Sequence, residues 1–377
     1  MHTVQNRWQP EHGWLWPLGE RNRSQLLLVF AAKRLLAEGE LLRQIRETYP
    51  SALIIGCSTA GEIMGRRVYD DTLCLTAIEF EKTRVKGARV RVEDAAESHA
   101  AGRELARQLA ADDLKHLFVL SDGLHINGSE LVRGVTEHLP PGVTVSGGLS
   151  GDGDRFEQTL VAWGDEIRER QISAIGLYGE HISVGCGSLG GWDSFGPERL
   201  ITRASGNVLY ELDGQSALDL YKTYLGEHAM GLPATGLLFP LSLRLPENEK
   251  PIVRTILAVD EKEQSMTFAG DIPQGCYVRL MKANFDRLVD GALGAAETAG
   301  HGLRQGAPEL AILISCVGRK LILKQRVEEE VEAVHEVLGD QAVYTGFYSY
   351  GEISPFTPDA RCELHNQTMT ITALSER

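Results

Sequence analysis

One plan occurs three times along this chain, and it restricts the fold more than any other feature of the sequence. An apolar strand leads to an amphipathic helix, a second strand, and a glycine-rich turn that ends near an acid. The first copy has Leu26–Ala31, a helix over about Leu36–Glu47, Ala52–Ile55, and Gly56-Cys-Ser-Thr-Ala-Gly-Glu-Ile63. The second has Leu117–Leu120, Ser129–His138, Val143–Val145 and Gly147-Gly-Leu-Ser-Gly-Asp152. The third has Leu310–Ile314, Val327–Leu338, Ala342–Tyr344 and Gly346-Phe-Tyr-Ser-Tyr-Gly-Glu-Ile353. The span from first strand to first turn glycine runs from 26 to 56, from 117 to 147 and from 310 to 346. A strand–helix–strand unit of about 30 residues is a right-handed crossover between parallel strands. Three with a shared terminal turn point to duplication.

After each turn the pattern becomes that of hairpins. Leu73–Phe80 and Val85–Val92 follow the first, and Gln158–Trp163, Ile172–Tyr178 and His181–Cys186 follow the second. Cys362–Leu374, with alternating Thr and Ile, reads as one closing strand after the third. The expected fold class is therefore α/β: mixed sheets built from repeated strand-helix-strand units with added antiparallel hairpins, in two lobes. The glycine-dense Gly185–Trp192 and the Phe195-Gly-Pro197 turn set a boundary near residue 200. The division is an N-terminal extension over 1–24, a first lobe over 25–200 and a second over 201–377. Beyond the boundary, a helix is expected over Gln215–Leu225. A hairpin follows, with Ile252–Val259 and Ser265–Ala269 flanking the turn Asp260–Gln264.

Fifty-two acidic against 38 basic residues give a net charge of −14, the opposite of a nucleic-acid-binding footprint. The longest apolar runs have the length of core strands, far short of a membrane span, and no secretory signal is visible. Six widely spaced cysteines without a Cys-x-x-Cys pair indicate neither a zinc cluster nor a disulfide framework, so a reducing cytoplasm fits best.

The turns lack the residues that common nucleotide-binding and catalytic loops require. Gly56-x4-Gly61 has the outline of a phosphate loop, but Glu62 and Ile63 stand where Lys and Ser/Thr are required. No Gly-x-Gly-x-x-Gly opens the first helix, so dinucleotide binding lacks support. Neither Ser58 nor Ser150 completes a Gly-x-Ser-x-Gly elbow, and Ser121, Asp122 and His125 are too close in sequence for a working triad. The chain is therefore expected not to be an enzyme, with hydrolysis the weakest alternative. Glu62, Asp152 and Glu352 have two readings. They bind their own backbone amides and fix the turns, or they stand at strand carboxyl ends where open α/β sheets place ligands. In the second case the turns converge on one cleft rimmed by Ser58, Ser150, Ser349 and Tyr350. Among eleven histidines, His125 follows a buried strand and an Asp, and His365 opens a polar trio with Asn366 and Gln367 in a β-rich segment. Such a trio needs partners, from the core or from a ligand.

These segments resemble the FIST sensory family (F-box and intracellular signal transduction proteins), with its N- and C-terminal halves in order, from about residue 25 to 375. The matching residues are Gly56–Ile63, Ser121-Asp-Gly-Leu124, Asn127-Gly-Ser-Glu-Leu131 and Gly147–Asp152. In the second half they are Leu209–Gly214, Phe268-Ala-Gly-Asp271, Ser315-Cys-Val-Gly-Arg319 and Gly346–Pro355. The resemblance implies sensing of a small or gaseous ligand, and signalling through a separate output protein, since 377 residues leave no room for an output domain. It further suggests the haem-containing nitric-oxide-sensing branch, which works with a histidine kinase in cyclic-di-GMP and biofilm control. Haem b would then be held by His365 or His125, with Arg319 or Lys320 meeting the propionates. Amino-acid or other small-molecule sensing without haem is the alternative. Ser58, Glu62, Asp122, Ser150, Asp152, Arg319, Tyr350 and Glu352 are the ligand-binding candidates. Nucleic-acid and membrane partners are not expected, and a homo-oligomer is left open.

Overall fold

The computed structural model describes residues 1–19, 23–245, 251–303, 306–357 and 360–377. Three sheets share one four-strand plan. In spatial order the first holds Leu53–Thr59, Leu26–Ala32, Leu73–Glu79 and His2–Gln9. The second holds Thr144–Leu149, Leu114–Ser121, Gln171–Tyr178 and Arg84–Arg91. The third holds Val343–Ser349, Leu310–Cys316, Met369–Glu376 and Ile182–Leu189. In each, the first two strands are parallel, as the crossover helix requires, and the outer two are antiparallel. The repeats therefore run over 2–79, 84–178 and 182–376. The mixed α/β architecture expected from the sequence is the one adopted.

The repeats interlock. The hairpin after each turn leaves its own sheet and pairs with the strand that ends the crossover unit of another. Glu62–Met64 pairs onto Val343–Ser349, Val161–Trp163 onto Leu53–Thr59, and Gly351–Pro355 onto Thr144–Leu149. The exchange closes into a ring, and its inner face is a core drawn from all three sheets, including Phe30, Cys57, Phe118, Ile175, Ile314 and Phe347. At the same height in each repeat a glycine crosses a neighbouring backbone. A Cβ on Gly56, Gly147 or Gly346 would stand 2.3, 1.9 or 1.8 Å from the carbonyl oxygen of Val29, Val119 or Leu313. These glycines hold the paired strands in contact and fix which residues of the repeats correspond.

One insertion breaks the pattern. Between its edge strand and its helix, the third repeat carries a β-rich module from Asp193–Ser205 to Tyr277–Lys282, with its own apolar core around Leu209, Tyr221, Leu241 and Phe268. Trp192, Met281, Leu288 and Leu323 join it to the third repeat.

Several elements differ from the sequence reading. The first helix is two, Lys33–Glu38 and Glu40–Thr48, because Gly39 takes a left-handed conformation that caps one and starts the other. The closing segment is two strands in different sheets, Cys362–His365 and Met369–Glu376, broken where Gln367 turns with φ 62°. The strand His2–Gln9, within the expected extension, pairs along Leu73–Glu79; residues 20–22 of that extension lie outside the described residues. Residue 200 falls inside a strand, and the helix Phe285–Gly302, rich in buried alanine, was not anticipated. No helix among the described residues is long and apolar enough to cross a membrane.

Candidate ligand-binding site

The three turns do meet, handing hydrogen bonds around the ring. Ala60 N donates to Tyr348 O, Gly151 N to Ser58 O and Tyr350 N to Leu149 O, at 2.8, 2.9 and 3.1 Å. The meeting point is packed, however. A Cβ on Gly151 would lie 3.2 Å from both Ala60 N and Tyr350 Cε1, and Ser58, Ser150 and Ser349 are buried. No cleft rimmed by those serines opens there.

Glu62 and Glu352 occupy one position in two repeats and are held alike. Thr59 Oγ1 donates to Glu62 Oε1 at 2.5 Å, and Thr72 gives its amide and hydroxyl to the other oxygen at 3.1 and 2.6 Å. Ser349 Oγ donates to Glu352 Oε1 at 2.7 Å, and Thr368 supplies its amide and hydroxyl at 3.2 and 3.0 Å. Burial pushes Glu62 up to about 7 and Glu352 up to about 8, against the opposing pull of those donors. Asp152 is not their counterpart. By ladder register the residue of the second repeat that corresponds to Glu62 and Glu352 is Val161. Glu62 follows Thr59, and Glu352 follows Ser349, by three positions, whereas Val161 follows Ser150 by eleven. Asp152 lies within that longer loop, where it accepts the amides of Phe156, Glu157 and Gln158 and the Tyr350 hydroxyl.

Asp122 is buried at the end of the second repeat's first strand. Burial raises its carboxyl, but the amides of Arg170 and Leu124 and the Thr159 hydroxyl outweigh that and hold it below the usual range. His125 Nδ1 lies 3.0 Å from Asp122 Oδ2, and its side chain keeps 32% exposure. His365 is sealed: Nε2 lies 2.7 Å from Ser354 O, Phe356 stands edge-on at 4.3 Å, and burial pushes the imidazole down to about 4. Arg319 is also closed off. It forms a buried ion pair with Glu330 at 2.7 Å and donates to the carbonyls of Leu288 and Gly190. Lys320 donates to Ala60 O at 2.8 Å and pairs with Asp70. Neither basic group is free to meet a propionate in this arrangement.

One open space lies beside the ring, against the module. A cavity of about 170 Å³ is lined by Gly123, Leu124, Ile126, Asn127, Leu149 and Phe156 of the second repeat, by Tyr350 of the third, and by Asn207, Leu257, Phe268, Ala269 and Gly270 of the module. Phe156 stacks on Tyr350 with ring centres 4.4 Å apart, forming one wall. Asn127 caps the helix Gly128–Thr136 and donates to Asp271 Oδ1 at 3.0 Å, tying module to repeat. Phe156, Asn127 and Asn207 were not singled out from the sequence as site residues. A usable signal was present for some of the wall: Asn127-Gly-Ser and Phe268-Ala-Gly-Asp271 are among the matching segments, and the cavity is where they meet. Among the described residues no group of three or more His, Cys, Asp or Glu side chains gathers to hold a metal ion.

The cavity is small and mostly apolar, carries the amides of Asn127 and Asn207, and lies at the junction of two structural units. The chain matches the FIST N domain over residues 25–215 and the FIST C domain over 217–355, and it belongs to the FIST family of sensory, small-ligand-binding signalling domains. An uncharacterised protein of Methanocaldococcus jannaschii is 23% identical over 345 residues, covering 83% of this chain and 64% of that one. The chain thus spans under two thirds of that relative's length. A cyanuric acid hydrolase from A. caulinodans aligns over 100% of this chain and 99% of its own at 8% identity, with a TM-score of 0.38. A second cyanuric acid hydrolase structure aligns over 100% and 99% at 9% identity and 0.36. Scores this low carry no inference about chemistry.

Proposed function

We propose that the chain is a sensor that holds a small ligand in the 170 Å³ cavity and reports its occupancy to a separate signalling protein such as a histidine kinase. The observation that carries this reading is convergence. Three segments far apart in sequence, around Leu124–Asn127, Phe268 and Tyr350, form one chamber, and each belongs to a stretch that matches the family. The volume is below the roughly 300–1,000 Å³ of drug-sized pockets, which favours a ligand of amino-acid size. A ligand transmits information only by favouring one of two conformations. Here it would bridge module and repeats, so occupancy changes how the two meet. Binding without turnover is part of the proposal. It is supported by the burial of Ser58, Ser150 and Ser349, and of all six cysteines, several of whose thiols burial pushes upward.

The test is a thermal-shift panel of amino acids and small metabolites on the wild type and on Leu257→Trp, which fills the cavity. A ligand that stabilises the wild type should lose its effect in the variant and should alter kinase autophosphorylation through the wild type alone. An equal response in both proteins would place binding elsewhere.

Haem b with nitric oxide is the second reading, and one observation favours His125 over His365. The contact between Nδ1 and Asp122 orients the ring, as carboxylate-bound histidines are oriented at metal centres, and the side chain keeps 32% exposure. His365 offers no open face for a macrocycle, because the hairpin and the module would have to part. A Soret band on haem titration that is lost in His125→Ala would support haem; an unchanged spectrum in that variant would remove His125.

A further inference from the structure

Where each exchanged hairpin returns to its own sheet, the chain passes through a linker of equal length: Tyr69–Thr72, Arg168–Gln171 and His365–Thr368. The first residue of each closes the hairpin, opposite Glu62, Val161 and Glu352. The third residue is a non-glycine in the left-handed region in all three, with φ of 56° at Asp71, 57° at Arg170 and 62° at Gln367. The backbone is therefore the same three times over, and the side chains can be compared position by position.

In the first two repeats the linker lines an open groove of about 480 Å³. The middle residue uses its side-chain oxygen there to accept an N–H donor supplied by the chain. Asp70 accepts the Lys320 ammonium, and Glu169 accepts the Gln158 carboxamide. In the third repeat Trp192 and the module cover the linker. Trp192 Nε1 donates to Gln367 O at 2.8 Å, and Gln367 Nε2 donates to Leu237 O at 3.3 Å. All four linker residues are buried. The middle residue is Asn366, and neither its amide oxygen nor its amide nitrogen has a protein partner. Gln367 Oε1 and His365 Nδ1 are likewise unpartnered.

The polarity of these atoms defines what they would accept. His365 Nε2 faces a carbonyl and so carries the proton, which leaves Nδ1 as an acceptor. Gln367 has spent a donor on Leu237, so Oε1 also accepts. Asn366 adds one acceptor and one donor group. Buried polar atoms left without partners are costly, and three acceptors on consecutive residues call for N–H donors. Glu352, directly opposite His365 in the ladder, is pushed up to about 8 by burial and balances a positive charge only where it ionises, while Arg254, which donates to Leu364 O at 3.0 Å, opposes one.

The geometry points to an enclosed binding site at His365, Asn366 and Gln367 for a small ligand bearing a primary amine or carboxamide. That ligand supplies from outside the donor that Lys320 and Gln158 supply within the sister repeats. This site is separate from the cavity under Tyr350 and stands whether or not that cavity binds anything.

Methylammonium chloride and acetamide are the probes, with sodium chloride and sodium acetate as controls at matched ionic strength. One or both probes should raise the melting temperature saturably and change the emission of Trp192, judged against Trp192→Phe. Asn366→Leu should lower the affinity about tenfold or more, the loss of one well-placed hydrogen bond. Asn366→Asp, which keeps an acceptor, should retain the response if the leucine variant folds poorly. No saturable response to either probe, or an equal response to the sodium salts, means that ordered water alone satisfies these atoms and overturns the proposal.

Discussion

The linkers Tyr69–Thr72 and His365–Thr368 have one backbone and opposite surroundings. Asp70 and Asp71 are exposed, and a lysine answers the first; Asn366 and Gln367 are buried beneath the module. An exposed linker tolerates full charges, because water solvates them. A sealed one is restricted to uncharged polar groups, since an unpaired buried ion costs far more than an unpaired amide. The module thus covers a linker that is open in the other two repeats, and the uncharged side chains at Asn366 and Gln367 suit that burial.

The largest expected effect probes how far the third repeat has diverged. Three positions beyond the strand end, the first repeat has buried Leu35 where the third has Arg319, whose guanidinium is paired with Glu330. Arg319→Met strands that carboxylate beside the Ser315 and Tyr348 hydroxyls and should cost about 3–5 kcal/mol in denaturant unfolding. Arg319→Leu with Glu330→Leu, which puts the first repeat's leucine at 319 and removes the stranded acid, should recover most of the loss. A double variant as unstable as the single one would break the correspondence.

Next in size are the crossing glycines. Gly56→Ala and Gly346→Ala each press a methyl into the neighbouring backbone, and each should cost about 1–3 kcal/mol by the same measurement. A neutral result in one repeat alone would mean that the repeats are not packed alike.

The matched glutamates give a smaller, pH-dependent signature. Their folded values, about 7 for Glu62 and about 8 for Glu352, lie above an ordinary 4.5. Between 4.5 and those values the unfolded chain has released protons that the folded chain keeps, so stability falls as pH rises through that window. Glu62→Gln should flatten the fall up to about pH 7 and Glu352→Gln up to about pH 8, read from unfolding curves at pH 5, 6.5 and 8. Unchanged slopes would show that both carboxyls ionise normally. The smallest effect belongs to Lys320→Met, which removes a pair whose acid is 69% exposed and should cost about 1 kcal/mol or less.

The sequence made the three crossover units legible because each is local: strand, helix and strand lie within one stretch, and the crossing glycine marks each turn. It did not show that the hairpins change sheets, since ladder partners such as Gly346 and Ile63 are far apart in the chain and nothing local names the partner. Asp152 was read as the equal of Glu62 because Gly-Leu-Ser-Gly-Asp imitates the other turns; only ladder register reveals the longer loop. The polar trio at His365–Gln367 was visible as an anomaly. Its burial depends on a module inserted more than eighty residues earlier in the chain, which no pattern around residue 365 records. The cavity walls were legible only as separate matching segments.

One linker of three is sealed, and the reactivity of a thiol placed in each linker distinguishes it from the other two. All six native cysteines are buried, so the folded wild type gives a silent background for a thiol reagent. Asp70→Cys and Glu169→Cys should label rapidly under native conditions. Asn366→Cys should label only at the rate at which the module opens, and become fast in denaturant. Labelling of Asn366→Cys as rapid as that of Asp70→Cys in the folded protein would contradict the seal, and with it the enclosed site.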